Sequence, residues 1–152
     1  MAEPVREQAI VAVVALLRGM TGTRSWGTAY PNAPTVERRF REPSQVSQFP
    51  HLIVQRTSET RFDLAELDGA FSHALVLDLL GYVCADAAAT EDTWLERLWH
   101  DVATTLQADR QLGTLAQDIT LGEYETDAGE LAPLAAFRQQ ITVTIFETMT
   151  VS

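Results

Sequence analysis

Apolar side chains recur at helical spacing between Thr90 and Asp109. They stand at i, i+3, i+4 and i+7 positions, and the set is Trp94, Leu95, Leu98, Trp99, Val102, Ala103 and Leu106. Thr90 is a good N-cap residue, and Gly113 follows soon after Asp109. This pattern predicts an amphipathic helix whose two tryptophans need a large apolar cover, and the strand-like segments on both sides predict that a sheet provides it.

A second helix is predicted near the N-terminus, beginning close to Pro4. Its apolar stripe consists of Val5, Ala9, Ile10, Val13, Leu16 and Leu17. The apolar run 9–17 is far shorter than the roughly 20 residues that span a bilayer. The acids Glu3 and Glu7 and the absence of a small-residue cleavage pattern argue against a secretory signal. We therefore expect a core helix and no membrane partner.

Alternating apolar and polar positions predict several strands. Residues 19–50 are irregular and rich in glycine and proline, with one short strand expected at Thr35–Arg41. The four longer candidates are His51–Phe62, Phe71–Val83, Asp118–Glu125 and Leu134–Glu147, with Asp63–Gly69 connecting the first two. In the last candidate Ala135, Phe137, Ile141, Val143 and Ile145 alternate with Arg138, Gln140, Thr142 and Thr144. One apolar and one polar face is typical of an antiparallel sheet with a solvated side.

The order helix, strand, strand, strand, helix, strand, strand predicts the α+β class. We expect one domain over residues 1–152, with a mostly antiparallel sheet of about four to five strands packed against two helices. Trp26 and Tyr30 in the long irregular stretch either close over the core or meet a partner, and the pattern does not decide between these.

Charge is distributed unevenly along the chain. The net charge is −10, which disfavours DNA or an anionic membrane as a tightly held partner. Residues 1–61 hold eight arginines and five acids, net +3, whereas residues 62–152 hold three arginines and sixteen acids, net −13. This is either a general acidic surface that aids solubility or a pair of complementary faces suited to head-to-tail association in a ring.

Residue patterns that carry chemistry are few. His51, His73 and His100 lie far apart in sequence, and neither HxH nor HExxH occurs. There is one cysteine, Cys84, and no lysine, so an internal disulfide, a cysteine-based zinc cluster and lysine chemistry are excluded. Acids such as Glu123, Glu125 and Asp127 cluster as chance allows in an acidic chain. We predict no catalytic residue, no metal site and no cofactor, so the protein is not expected to be an enzyme.

Four segments in this order resemble the tail-terminator, or tail-completion, proteins of long-tailed bacteriophages. They are FPHLIVQ (49–55), LLGYV (79–83), LWHDV (98–102) and ETDAGELAPLAAFRQQITV (125–143). The resemblance covers about residues 4–145. Its most specific part is the turn formed by Thr126, Asp127, Gly129, Glu130, Leu131 and Pro133 before the last strand.

The resemblance implies a structural virion protein at the head–tail junction, made in the host cytoplasm. Such subunits form a six-fold ring on the last ring of the tail tube, stop polymerisation and face the neck. The expected partners are therefore other copies of the chain, the tube protein and a neck or head-completion protein, with DNA passing through the lumen unbound. The predicted interface residues are Arg38, Arg39, Arg41, Arg56, Arg61, Asp63, Glu66, Asp68, Asp127, Gly129 and Glu130.

Three alternatives remain open from the sequence. A head-completion or stopper protein has a similar size and also assembles. A small-molecule-binding domain would hold its ligand between the tryptophan helix and the sheet. An enzyme that uses acidic residues needs only carboxylates brought together by the fold.

Overall fold

The computed structural model contains two helices and one five-stranded sheet. It describes residues 3–20, 30–64 and 70–148, with side chains for all of these but 58–64, 70–73 and 146–148. The helices are α1 (Val5–Arg18) and α2 (Glu91–Ala108). The strands are β1 (Thr35–Glu37), β2 (His51–Leu64), β3 (Ala70–Cys84), β4 (Asp118–Thr126) and β5 (Leu134–Thr148). This order confirms the predicted α+β class.

The sheet has the strand order β1-β2-β3-β5-β4. Strands β2, β3, β5 and β4 pair antiparallel, and only β1 pairs parallel, along three residues of β2. β1 and β2 run in the same direction because the residues between them carry the chain from the end of β1 back to the end of the sheet where β1 began. The mostly antiparallel sheet is therefore confirmed, and its two edges are β1 and β4.

Both helices cover one face of the sheet, which we call the helix face. Most positions of the predicted stripes are buried, namely Ala9, Ile10, Val13 and Leu17 in α1 and Trp94, Leu95, Leu98, Val102 and Leu106 in α2. The others, Val5, Leu16, Trp99 and Ala103, are half-buried. From the sheet, Leu75, Leu77, Leu79, Phe137, Ile141 and Val143 face the same core. Thr90 caps α2 as predicted, because its hydroxyl accepts a hydrogen bond from the Thr93 backbone N–H.

Gly81 makes room for the largest fully buried side chain of this core. It lies opposite Phe137 across the β3–β5 pair, and an added Cβ would stand 2.3–2.9 Å from three atoms of the Phe137 ring. Only glycine leaves space for the ring here. The ring of Phe137 therefore lies directly over the backbone of the neighbouring strand.

Three sequence predictions need correction. The strand expected at Thr35–Arg41 ends at Glu37, because only three residues pair with β2 and Arg38 turns toward α1. Asp63 belongs to β2 and not to a connection that starts there. The second face of the sheet is not wholly solvated, since His51, Ile53, Val76 and Tyr82 are buried there. The segment after β1 reaches this outer face, where the Tyr82 hydroxyl donates a hydrogen bond to the Arg41 carbonyl.

Tyr30 closes over the core, which is the first of the two possibilities that the sequence left open for this residue. Its ring packs against Trp94 with centroids 6.0 Å apart, and its hydroxyl donates a hydrogen bond to the buried Asp101 carboxylate. Trp26 lies outside the described residues. Neither helix of the described chain is long and apolar enough to cross a membrane.

Candidate subunit interface

The predicted arginines that follow β1 form the basic side of the sheet. The Arg38 guanidinium lies 2.6 Å from a carboxylate oxygen of Glu7 in α1. That hydrogen bond is the main cause of a lowered pKa for Glu7, and the positive charge of Arg56 in β2 lowers the Glu7 pKa further. Arg39 is exposed and forms no ion pair with any side chain that the structure describes. Arg38 and Arg56 thus share one side of the molecule, near Glu7.

Arg41 is held by a small polar cluster on the outer face. Its Nε atom lies 2.5 Å from Glu37 Oε1, and the same oxygen lies 3.0 Å from His51 Nε2. Although burial opposes it, the hydrogen bonds and charges of Arg41 and His51 leave the pKa of Glu37 below its usual value. These contacts fix the segment after β1, so Arg41 is committed to folding contacts more than to a partner.

Of four other predicted interface residues, the structure describes the backbone of two and leaves two outside the described ranges. Arg61 and Asp63 lie in β2, where their backbones pair with Ala74 and Ser72 of β3. Their side chains are not among those described. Glu66 and Asp68 lie outside the described residues.

The predicted turn between β4 and β5 is a tightly bonded loop. The Asp127 carboxylate accepts hydrogen bonds from the backbone N–H groups of Leu131 and Ala136, at 3.0 and 3.1 Å. Gly129 has a φ of +82°, which explains the glycine. Glu130 is exposed. Asp127 and Gly129 therefore shape the loop, and Glu130 is the member whose side chain is free to point outward.

The acidic side lies on β4, which sequence reasoning did not select. Arg138 of β5 lies between Asp78 of β3, at 3.4 Å, and two carboxylates of β4, Glu125 at 3.1 Å and Glu123 at 3.9 Å. The charge of Asp78 is the first cause of the raised pKa of Arg138. Three acids around one arginine leave this edge negative, and the Glu123 side chain is 75% exposed.

A bulge in β4 explains how these side chains are presented. Leu121 pairs with Ile141 and Tyr124 with Gln139, so Gly122 and Glu123 together face one residue of β5. The buried Gln139 side chain fastens the bulge, since its Nε2 group donates to the carbonyls of Gly122, at 3.1 Å, and Glu123, at 3.3 Å. The acidic side could have been predicted only from the register between β4 and β5, which the sequence does not give.

An aromatic cluster lies beside the bulge on the helix face. The Trp99 indole N–H donates to Gln139 Oε1 at 2.9 Å, and the Trp99 and Tyr124 rings are 5.3 Å apart. Tyr124 also contacts Phe137 at a centroid distance of 6.0 Å. Partial burial, helped by the Glu96 charge, raises the pKa of Tyr124 to about 12. Tyr124 is thus held as a neutral aromatic side chain at the surface.

The interior offers little room for a ligand at the place where the sequence suggested one. Trp94 fills the space between α2 and the sheet, and its indole N–H donates to Asp86. The crevice beside it, lined by Tyr30, Pro50, Cys84 and Trp94 among others, has room for about one water molecule. Among the side chains that are described, no group of three His, Cys, Asp or Glu residues is arranged to hold a metal ion.

Comparison of the chain with protein-family models and with curated proteins gives no match. The surfaces of the molecule are therefore the basis for a functional proposal.

Proposed function

We propose that this chain is a structural subunit of a phage tail, which caps the tail tube as a six-fold ring. In this role it ends tube polymerisation and forms the tail side of the head–tail junction. The order of its elements supports the proposal, because it is the order on which the resemblance to tail-terminator proteins rests. The observation that carries it is the separation of charge across one sheet.

The two sides of the sheet differ in sign. The side chains described in residues 3–20 and 30–57 include six arginines and four acids, net +2. Those described in residues 74–145 include three arginines and twelve acids, net −9. The first set contains α1 and β1, and the second contains α2 and β4. The edges β1 and β4 are four strand spacings apart, or about 19 Å.

Such a distribution suits contacts between unlike faces of neighbouring copies. A heterologous contact repeats with the same rotation and closes into a ring when that rotation divides a full turn. Opposite charges on the two faces guide the encounter and penalise the head-to-head arrangement. An acidic lumen would also let DNA slide without adsorbing to the wall.

The test combines mass measurement with electron microscopy. The purified full chain is mixed with tube protein, and we expect a ring-sized species and tubes of a defined length that carry it at one end. A chain that stays monomeric with the tube protein present overturns the proposal. Particles that lack this chain provide the second arm: overlong or headless tails support a terminator, whereas filled heads that leak DNA beside normal tails assign the chain to the neck as a stopper.

A further inference from the structure

Three of the five exposed large apolar side chains in the described structure lie at two places that carry opposite charge. In the part of the chain with described side chains, the large apolar residues that are exposed by a third or more are Val11, Phe40, Leu121, Tyr124 and Leu131. Two of them, Leu121 and Tyr124, stand on the β4 edge. Phe40 follows β1 at the other edge. Isolated exposed apolar residues are normal on a protein surface, whereas two neighbouring ones on a rigid strand are typical of a contact site.

The β4 patch, which we define as Leu121, Glu123 and Tyr124, is rigid. Leu121 and Tyr124 pair with Ile141 and Gln139, whose side chains are buried in the core, so both point to the helix face. They are 36% and 37% exposed. The ring of Trp99 supports Tyr124 from below, and Gln139 fixes Trp99. The Glu123 carboxylate turns toward Arg138 on the outer face, at 3.9 Å, and is 75% exposed, so it borders the apolar pair at the edge of the sheet.

Phe40 is the matching feature on the basic side. Its ring is 48% exposed. Its neighbours Arg38 and Arg41 are tied to Glu7 and Glu37, which holds the short segment between them from both ends. Arg39 lies next to Phe40 and makes no ion pair within the described structure. Phe40 and Arg39 together present an apolar ring with an adjacent positive charge.

Phe40 follows the edge strand β1, and the β4 patch lies on the other edge strand, so the two features belong to different parts of one copy. We propose that Phe40 of one copy packs on Leu121 and Tyr124 of the next copy, with the Arg39 guanidinium pairing with the Glu123 carboxylate. This inference rests on the proposed association of copies and names its contact. Because both partners are held in place before contact, little conformational entropy is lost on binding. An aromatic anchor in the middle and a charge pair at the rim is the usual composition of a small, energetically concentrated interface.

The first test measures assembly of the full chain by mass photometry over a range of concentrations. Phe40→Ala and Tyr124→Ala should each raise the concentration at half-assembly about tenfold or more, the size typical of an interface anchor. Val11→Ala is the matched control, because Val11 is 54% exposed on α1 and belongs to neither feature. Circular dichroism checks that each variant is folded. Assembly by Phe40→Ala and Tyr124→Ala at the wild-type concentration overturns the proposal.

The second test exchanges the charges. Arg39→Glu and Glu123→Arg should each weaken assembly several-fold, and the double variant should recover most of the loss, because the ion pair is restored in the opposite sense. Glu130→Arg makes the same change of charge on an exposed loop residue and should not be recovered by Arg39→Glu. A double variant that is as weak as the sum of the single variants overturns the contact.

The two proposals fail in different ways. If the wild-type chain assembles and caps tubes while every variant behaves like it, the contact is wrong and the tube-capping function stands. If the wild-type chain stays monomeric with and without tube protein, both are overturned.

Discussion

The buried amide of Gln139 provides the sharpest test of the packing between α2 and the β4 bulge. Its side chain is 1% exposed and sits where helix and sheet meet. Its carbonyl oxygen accepts the Trp99 indole N–H, and its two amide N–H groups donate to the carbonyls of Gln140 and Gly122 and, more weakly, to that of Glu123. Gln139→Leu keeps nearly the same volume and removes all of these bonds at once.

The expected loss follows from counting those bonds. A typical intramolecular hydrogen bond contributes a net 0.5–1.5 kcal/mol, so losing the one accepted bond and both donating N–H groups would cost about 1.5–4.5 kcal/mol. The apolar gain of a buried leucine offsets part of this, and the carbonyl groups of the exposed bulge regain water. We therefore expect the free energy of unfolding to fall by about 1–3 kcal/mol. For a chain of this length that corresponds to a melting temperature about 2–12 °C lower.

Urea unfolding followed by far-UV circular dichroism measures the effect without relying on tryptophan emission. Trp99→Phe removes the indole bond together with part of the ring, and a double-mutant cycle with Gln139→Leu separates the bond from the lost packing as an interaction energy of about 1 kcal/mol. Gln140→Leu, one position along on the outer face, is the control and should change stability by less than about 0.5 kcal/mol. Strict additivity of the two changes, or equal costs at positions 139 and 140, would refute this account of the bulge.

Three further changes test other parts of the molecule. Gly81→Ala should lower the free energy of unfolding by about 1–3 kcal/mol, because its Cβ would collide with the Phe137 ring; denaturant titration measures this. Arg38→Gln should lower stability at neutral pH but not in acid, because Arg38 lowers the Glu7 pKa below 4.5 and that stabilisation is lost as the pH falls through the folded value. Urea midpoints at about pH 7 and about pH 3 test it. Asp127→Ala should cost about 1–3 kcal/mol in thermal unfolding, since two backbone N–H groups lose their acceptor.

Matched controls exist for two of these changes. Arg39→Gln removes an equal charge beside Arg38 without breaking a described ion pair, so its midpoint should not depend on pH in the same way. Glu130→Ala changes the same loop as Asp127→Ala but removes no side-chain hydrogen bond of the described structure, and its melting temperature should stay near the wild-type value. If Arg38→Gln destabilises equally in acid and at neutral pH, the link to Glu7 is wrong.

Periodicity in the sequence was enough to predict the elements and their buried faces. Both helices bury most positions of the predicted stripes, and Phe137, Ile141 and Val143 of β5 face the core as expected. These faces follow from spacing within one element, because burial repeats every 3.6 or 2 residues regardless of the partner. The α+β class follows from the order of elements for the same reason.

Contacts between distant residues could not be predicted in this way. Arg38 meets Glu7, 31 positions away, and Arg138 meets Asp78, 60 positions away. Gln139 occupies one of the alternating positions of β5 that face the core. The reason for a glutamine there could not be predicted, because its acceptors are carbonyl groups of the β4 bulge. The burial of Tyr82 on the outer face likewise involves a distant segment, since its hydroxyl donates to the Arg41 carbonyl, 41 positions away. The short extent of β1 has the same origin, since pairing with β2 limits it to three residues.

The bulge in β4 also determines what the free edge of the sheet can do. A strand at an edge exposes backbone N–H and C=O groups that can template another strand. Here the regular repeat runs from Asp118 to Leu121 before the extra residue interrupts it, and β1 at the other edge is only three residues long. Neither edge therefore supports a continuous cross-β stack, which would add chains without limit. Copies that join through side chains meet in one orientation, and an assembly of that kind can be finite.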